Sequence, residues 1–121
     1  MSHHVDGFAH PIPRDRLENY KQLVHAVANI WKEHGALDYW ECVGDQLHME
    51  GTLSFADMLD AKEDEAILFG WVLFDSNETR EAVHKKVASD LRMEKLMAES
   101  DTGFDAARMA WGVFKPFEPS S

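Results

Sequence analysis

Between Arg14 and His34 the apolar residues Leu17, Tyr20, Val24, Val27 and Trp31 return at alternating steps of three and four. That spacing paints one stripe of an α-helix, widened by Leu23, Ala28 and Ile30, with Glu18, Gln22, His25, Asn29 and Lys32 opposite. Gly35 follows at once and suits a left-handed helix stop. Upstream, Val5 to Ile12 predicts a strand, with Pro11 and Pro13 placed at its end and at the helix start, because neither suits a strand centre.

Ala36 to Val43 is apolar and aromatic and predicts a second strand, ended by Gly44-Asp45. The stretch from 46 to 65 is polar except around Phe55-Ala56-Asp57-Met58-Leu59, where Ser54 can cap one or two helical turns. Ala66 to Phe74 is nearly unbroken apolar sequence, the pattern of a central strand buried on both faces. Ser76 can cap a second helix with Thr79, Ala82, Val83 and Val87 inward. Asp90 can cap a further segment, Leu91 to Glu99, with Leu96 and Met97 packed inward. Arg108 to Phe117 reads as the last strand, closed by Pro116 and Pro119.

Strand, helix, strand, strand, helix, strand predicts one α+β domain over residues 1–121, a ferredoxin-like βαββαβ fold. It has a four-stranded antiparallel sheet with two main helices on one face. The other face would carry large side chains such as Phe8, Trp71 or Phe69, and Trp111 or Phe114. A monomer rarely leaves such a patch bare, so a homodimer packed sheet on sheet is expected, its subunits forming a dimeric α/β barrel.

At 121 residues the chain can bury a real core, and 45% hydrophobic with 28% charged residues is globular composition. Twelve Lys and Arg against 22 Asp and Glu give a net charge of -10. Such a surface repels nucleic acid and anionic membranes, and neither is an expected partner. One cysteine, Cys42, allows no internal disulfide; with no signal-like N-terminus or spanning apolar run, the expected location is cytoplasmic.

Asp6-Gly7-Phe8, Glu41-Cys42-Val43-Gly44-Asp45, Phe69-Gly70-Trp71, Ser89-Asp90-Leu91-Arg92-Met93 and Phe104-Asp105-Ala106-Ala107-Arg108-Met109 with Gly112 stand in order along the chain. Together they resemble the YbaA-like bacterial proteins, a family of unknown function within the dimeric α/β-barrel superfamily. The resemblance implies the fold and the dimer. Through the wider superfamily it implies cofactor-independent monooxygenases, isomerases or haem-handling proteins only by analogy. Leu91 stands where that pattern commonly has proline, and Trp111 where it has tyrosine.

Asp6, Phe8 and His10 share one face of the first strand. Should that face line a cavity between the two sheets, Asp6 could orient a partner and His10 could act as a general base. The plainer alternative pairs Asp6 with an arginine and leaves His10 in solvent near the prolines. Glu41 sits among Tyr39, Trp40 and Val43, where a carboxylate must be paired or protonated. It is either an acid/base group or a bridge to Arg108 or Arg92; the alternation leaves its face open. Trp71, Phe8, Phe69 and Arg108 are the candidate substrate contacts.

Cys42 is expected to be a buried, inert thiol and Met58, Met93, Met97 and Met109 core filling. The seven histidines show no metal-ligand spacing, His25 and His84 falling on polar or flanking helix positions. Only a terminal copper site at His3-His4 suggests itself, and no metal or bound cofactor is expected. Three functions remain: an enzyme acting on a hydrophobic or aromatic small molecule, a non-catalytic ligand-binding or stress-associated module, or a structural dimer whose polar strand residues lock the interface.

Overall fold

The computed structural model describes residues 3–117. The N-terminal amine of the possible copper site and Pro119 lie outside the described residues. β1 spans His4–Pro13, and after one 3-10 turn at Arg14–Arg16, α1 covers Leu17–Glu33. Then come β2 (Asp38–Val43), the short α2 (Phe55–Met58), β3 (Glu65–Phe74), α3 (Asn77–Ala88), α4 (Leu91–Glu99) and β4 (Ala110–Phe114). The fold is α+β: one four-stranded sheet in the order β2-β3-β1-β4, every neighbouring pair antiparallel.

The caps anticipated from sequence form. Ser54 accepts from the Ala56 amide, Ser76 from Thr79 and Asp90 from Arg92. Gly35 adopts φ +125 directly after α1, a conformation open to glycine at little cost. The prolines depart from expectation, since both Pro11 and Pro13 lie within β1. β4 pairs with β1 only from Val5 to Ala9, so beyond Ala9 the strand has one open edge, where a proline lacking N–H is tolerated. β4 itself is shorter than predicted, because Ala106–Arg108 forms a 3-10 turn before it.

Direct cross-strand partners share a sheet face. Gly70 pairs with both Phe8 and Glu41, and Phe8 also pairs with Trp111, so all four positions face the helices. On that face Ile12 and Leu68 meet Tyr20, Leu23 and Val27 of α1, while Val72 and Phe74 meet Val83 and Val87 of α3. Ala82, expected inward, is exposed.

The opposite face carries Trp40, Phe69, Trp71 and Phe114. β3 is therefore central but not buried on both faces: Phe69 is 43% exposed in a single copy. Phe8 and Trp111 do not belong to that outer surface, contrary to expectation. The returning chain covers part of it, laying the Phe55 ring 5.9 Å from Phe69, and Ala9 and Ile67 are buried there. Trp40 (52% exposed) and Phe114 (61%) stay open. Cys42 alternates onto this face too and is exposed rather than buried. Among the described residues no helix is long and apolar enough to cross a membrane.

Candidate functional site

The helices do not seal the sheet completely. A cavity of about 300 Å³ lies between them, walled by apolar side chains of α1 and by Met93, Met97 and Phe104 from the α4 region. Its floor is the helix-facing row of β1: Asp6, Phe8 and His10. Gly70 keeps that floor low. A Cβ there would stand 2.6 Å from Phe8 Cζ, 2.6 Å from the Trp40 carbonyl and 2.7 Å from Glu41 Cγ. Any larger residue would push Phe8 and Glu41 apart.

Four polar side chains meet at one end. His10 is 1% exposed, and its ring is flanked by Phe8 at 6.2 Å and by the edge-on Phe104 at 5.1 Å. Glu41, with its side chain 3% exposed, comes from β2 across the sheet. Tyr20 of α1 donates its phenol hydrogen to Glu41 Oε1 at 2.5 Å, and Tyr39 donates to Oε2 at 3.3 Å. Because the Tyr20 hydrogen goes to Glu41, the phenol oxygen accepts from His10 Nε2, 3.0 Å away. Nε2 is also 3.4 Å from Glu41 Oε1. In this arrangement His10 carries its proton on Nε2, and Nδ1 is left as a lone pair.

That Nδ1 is buried and has no hydrogen-bond partner. An unmet buried polar atom costs about 1–3 kcal/mol, so its retention in a packed interior calls for a reason. The two phenols are held protonated. Burial first, and then the Glu41 charge, push both the Tyr20 and the Tyr39 phenols far above the ordinary tyrosine value. Both phenols therefore remain donors to Glu41.

The other end of the cavity is built differently. Asp6, 2% exposed, accepts from Arg80 Nε at 2.8 Å through Oδ1 and faces His84 Nε2 at 2.5 Å through Oδ2. Arg80 and His84 are four apart on α3 and present one face. Trp31 stands edge-on to His84 at 4.9 Å, and the Arg80 guanidinium lies 5.9 Å from the Trp111 ring centre. Trp31, His84 and Trp111 line the cavity with Asp6.

Of the residues singled out from sequence, Asp6, Phe8, His10 and Glu41 are brought together. Asp6 does pair with an arginine, as the plainer alternative had it, but His10 is not solvated. Trp71 and Phe69 lie on the outer face, away from this cavity. Arg108 is also elsewhere: its turn precedes β4, and it binds Glu65 at 2.6 and 2.9 Å and the Asp60 carbonyl at 3.2 Å. Neither Arg108 nor Arg92 reaches Glu41, and Arg92 is held by Asp90 and Glu33.

Four contributors carry no functional mark in the sequence. Tyr20 and Trp31 belong to the apolar stripe of α1, His84 falls on a flanking helix position, and nothing in the local pattern distinguishes Arg80. The available signal was chemical: a tyrosine in a buried stripe carries a hydroxyl that must find a partner. Met93 packs against both core clusters and also lines the cavity, Met97 and Met109 line the cavity, and Met58 sits outside with Phe55. Among the described residues no group of three His, Cys, Asp or Glu side chains is arranged to hold a metal.

A small α+β scaffold enclosing a polar cluster in an aromatic-lined cavity is the class of protein these features define. Residues 3–106 match the family described as "Protein of unknown function (DUF1428)", and the chain belongs to that family. It is 34% identical over 112 residues to "Uncharacterized protein YbaA" of Escherichia coli K12, covering 93% of this chain and 94% of that one. The Shigella flexneri protein of the same description matches equally. Among solved structures, the de novo designed protein Foldit4 overlaps 96% of this chain and 98% of its own at 12% identity, with a TM-score of 0.45.

Proposed function

We propose that this protein is a cofactor-independent acid/base enzyme of the isomerase kind, which takes a hydrophobic or aromatic small molecule into the cavity between sheet and helices. The observation that carries this reading is the buried His10, whose Nε2 is engaged by Tyr20 and Glu41 while Nδ1 has no partner. A ligand that brings an acidic C–H or O–H to Nδ1 supplies the missing contact. Nδ1 then takes the proton, the imidazolium is stabilised by Glu41, and after exchange with solvent at that stage Nδ1 returns a proton to a different carbon of the ligand. No net oxidation is involved. Deprotonation of this kind also opens cofactor-free oxygenation, where dioxygen is the second reactant, as in the monooxygenases of the resembling superfamily.

The strand order β2-β3-β1-β4 supports the ferredoxin-like reading of the fold. The open aromatic cluster of Trp40, Phe69, Trp71 and Phe114 supports a homodimer formed through the outer face, each copy keeping its own cavity.

The test begins with a thermal-shift screen of aromatic acids, lactones and quinones, followed by NMR of the hits in D2O. Wild-type protein should exchange one ligand hydrogen for deuterium. His10→Gln should slow this by about 10²-fold or more, and Tyr20→Phe by less. Ligands that bind without exchange in the wild type would leave only the non-catalytic binding module.

A further inference from the structure

The cavity has two polar ends of opposite character, and the Asp6 end has donors to spare. Asp6 occupies Nε of Arg80 and Nε2 of His84, and the Asn77 side chain accepts from Arg80 Nη1 at 3.3 Å. Among the described residues, Arg80 Nη2 and His84 Nδ1 have no hydrogen-bond partner. Both groups are anchored to the two oxygens of one buried carboxylate, so their orientation is set before any ligand arrives. In a chain of net charge -10, this is a local concentration of donors at an apolar chamber whose wall includes Asp6 and His84, with Arg80 held on Asp6 just behind it.

We propose that Arg80 and His84 form a carboxylate-binding station, so that the ligand is an amphipathic monoacid with an apolar or aromatic body. Asp6 is the positioning residue. It neutralises Arg80, and the ligand carboxylate binds together with one proton from solvent taken up by His84, whose imidazolium keeps Nε2–H on Asp6 and presents Nδ1–H to one carboxylate oxygen. Arg80 Nη2 serves the other oxygen. Trp31 and Trp111 flank the charged pair and provide faces for the first part of the apolar body. Asp6 and His10 are four residues apart on β1, roughly 13 Å of strand, with Phe8 between them on the cavity floor. The monoacid thus lies along the floor, its charge at His84 and its far end at His10.

This inference rests on the cavity being a ligand chamber, and the test separates the two. Isothermal titration calorimetry compares 4-phenylbutanoate with 4-phenylbutanamide, which differ in the charged head but share the body. The acid should bind wild-type protein about tenfold tighter or more, the usual worth of a charge-assisted hydrogen bond. His84→Gln and Arg80→Gln should each abolish that preference while retaining amide binding, whereas His10→Gln should leave the acid-to-amide ratio as in wild type. Equal affinities for acid and amide in the unaltered protein would overturn the carboxylate station and leave the chamber standing. So would a preference that survives both α3 substitutions. Failure of both compounds to bind at millimolar concentration would overturn chamber and station together.

Discussion

The two faces of this sheet are made from the same four strands, yet they hold opposite chemistry. The helix-facing row places Asp6, His10 and Glu41 among aromatic rings, each side chain nearly closed off from water. The outer row places Trp40, Phe69 and Phe114 in the open around a half-buried Trp71, and a charged pair, Glu65 with Arg108, sits at the corner where β3 begins. A fold built for stability alone would reverse the arrangement, with aromatics inside and carboxylates outside. Buried polar groups reduce stability unless every partner is in place, and their concentration on the covered face is the ground for the proposed site there. Exposed aromatics carry the complementary message of a surface that gains by being covered.

The contrast can be tested by equivalent truncations on the two sides. The largest effect is expected at Phe74, fully buried between β3 and α3. Phe74→Ala should cost about 3–5 kcal/mol, read from urea unfolding at several protein concentrations, and the cost should not depend on concentration. A loss below about 1 kcal/mol would mean that the α3 side of the core is not packed as described.

A smaller effect belongs to the corner of the outer face. Hydrogen bonds from Arg108 first, and then the Lys62 amide, hold the Glu65 carboxyl at about 2 rather than its ordinary 4.5. The folded value is the lower one, so the stabilisation is complete above pH 4.5 and is lost as pH falls from there towards 2. Allowing for solvent screening of the part-exposed Arg108, it amounts to roughly 2 kcal/mol. Glu65→Gln should be less stable than wild type by that amount at pH 7, and the two should converge near pH 2. Parallel stability curves across that range would show that the ion pair contributes nothing.

The smallest effect on the lone chain is expected at Phe114. In dilute protein Phe114→Ala should change unfolding by less than about 0.5 kcal/mol, the usual range for a surface position. Sedimentation velocity should nevertheless show weakened self-association. An unchanged sedimentation profile in a wild type that is monomeric throughout would remove the outer face from the argument.

Much of this was legible in the residues. The stripe of α1, the caps at Ser54, Ser76 and Asp90 and the apolar run of β3 are local patterns, and local geometry follows them. The prolines of β1 misled because their tolerance depends on where β4 stops pairing, which no neighbouring residue records. For the site, Asp6, His10 and Glu41 stood out as polar residues in apolar strands. Their partners did not, because Tyr20, Arg80 and His84 lie on helices whose facing depends on the packing of the whole domain.

The sequence by itself determined the elements, their order and the acidic, cysteine-poor character of the chain, since periodicity and composition act over a few residues at a time. Tertiary structure alone decided which sheet face each polar residue occupies, because one step of register moves every side chain of a strand to the opposite side. It also decided that Gly70 would let Phe8 and Glu41 close together over its backbone beside the chamber. Three strands must be in register before that contact exists.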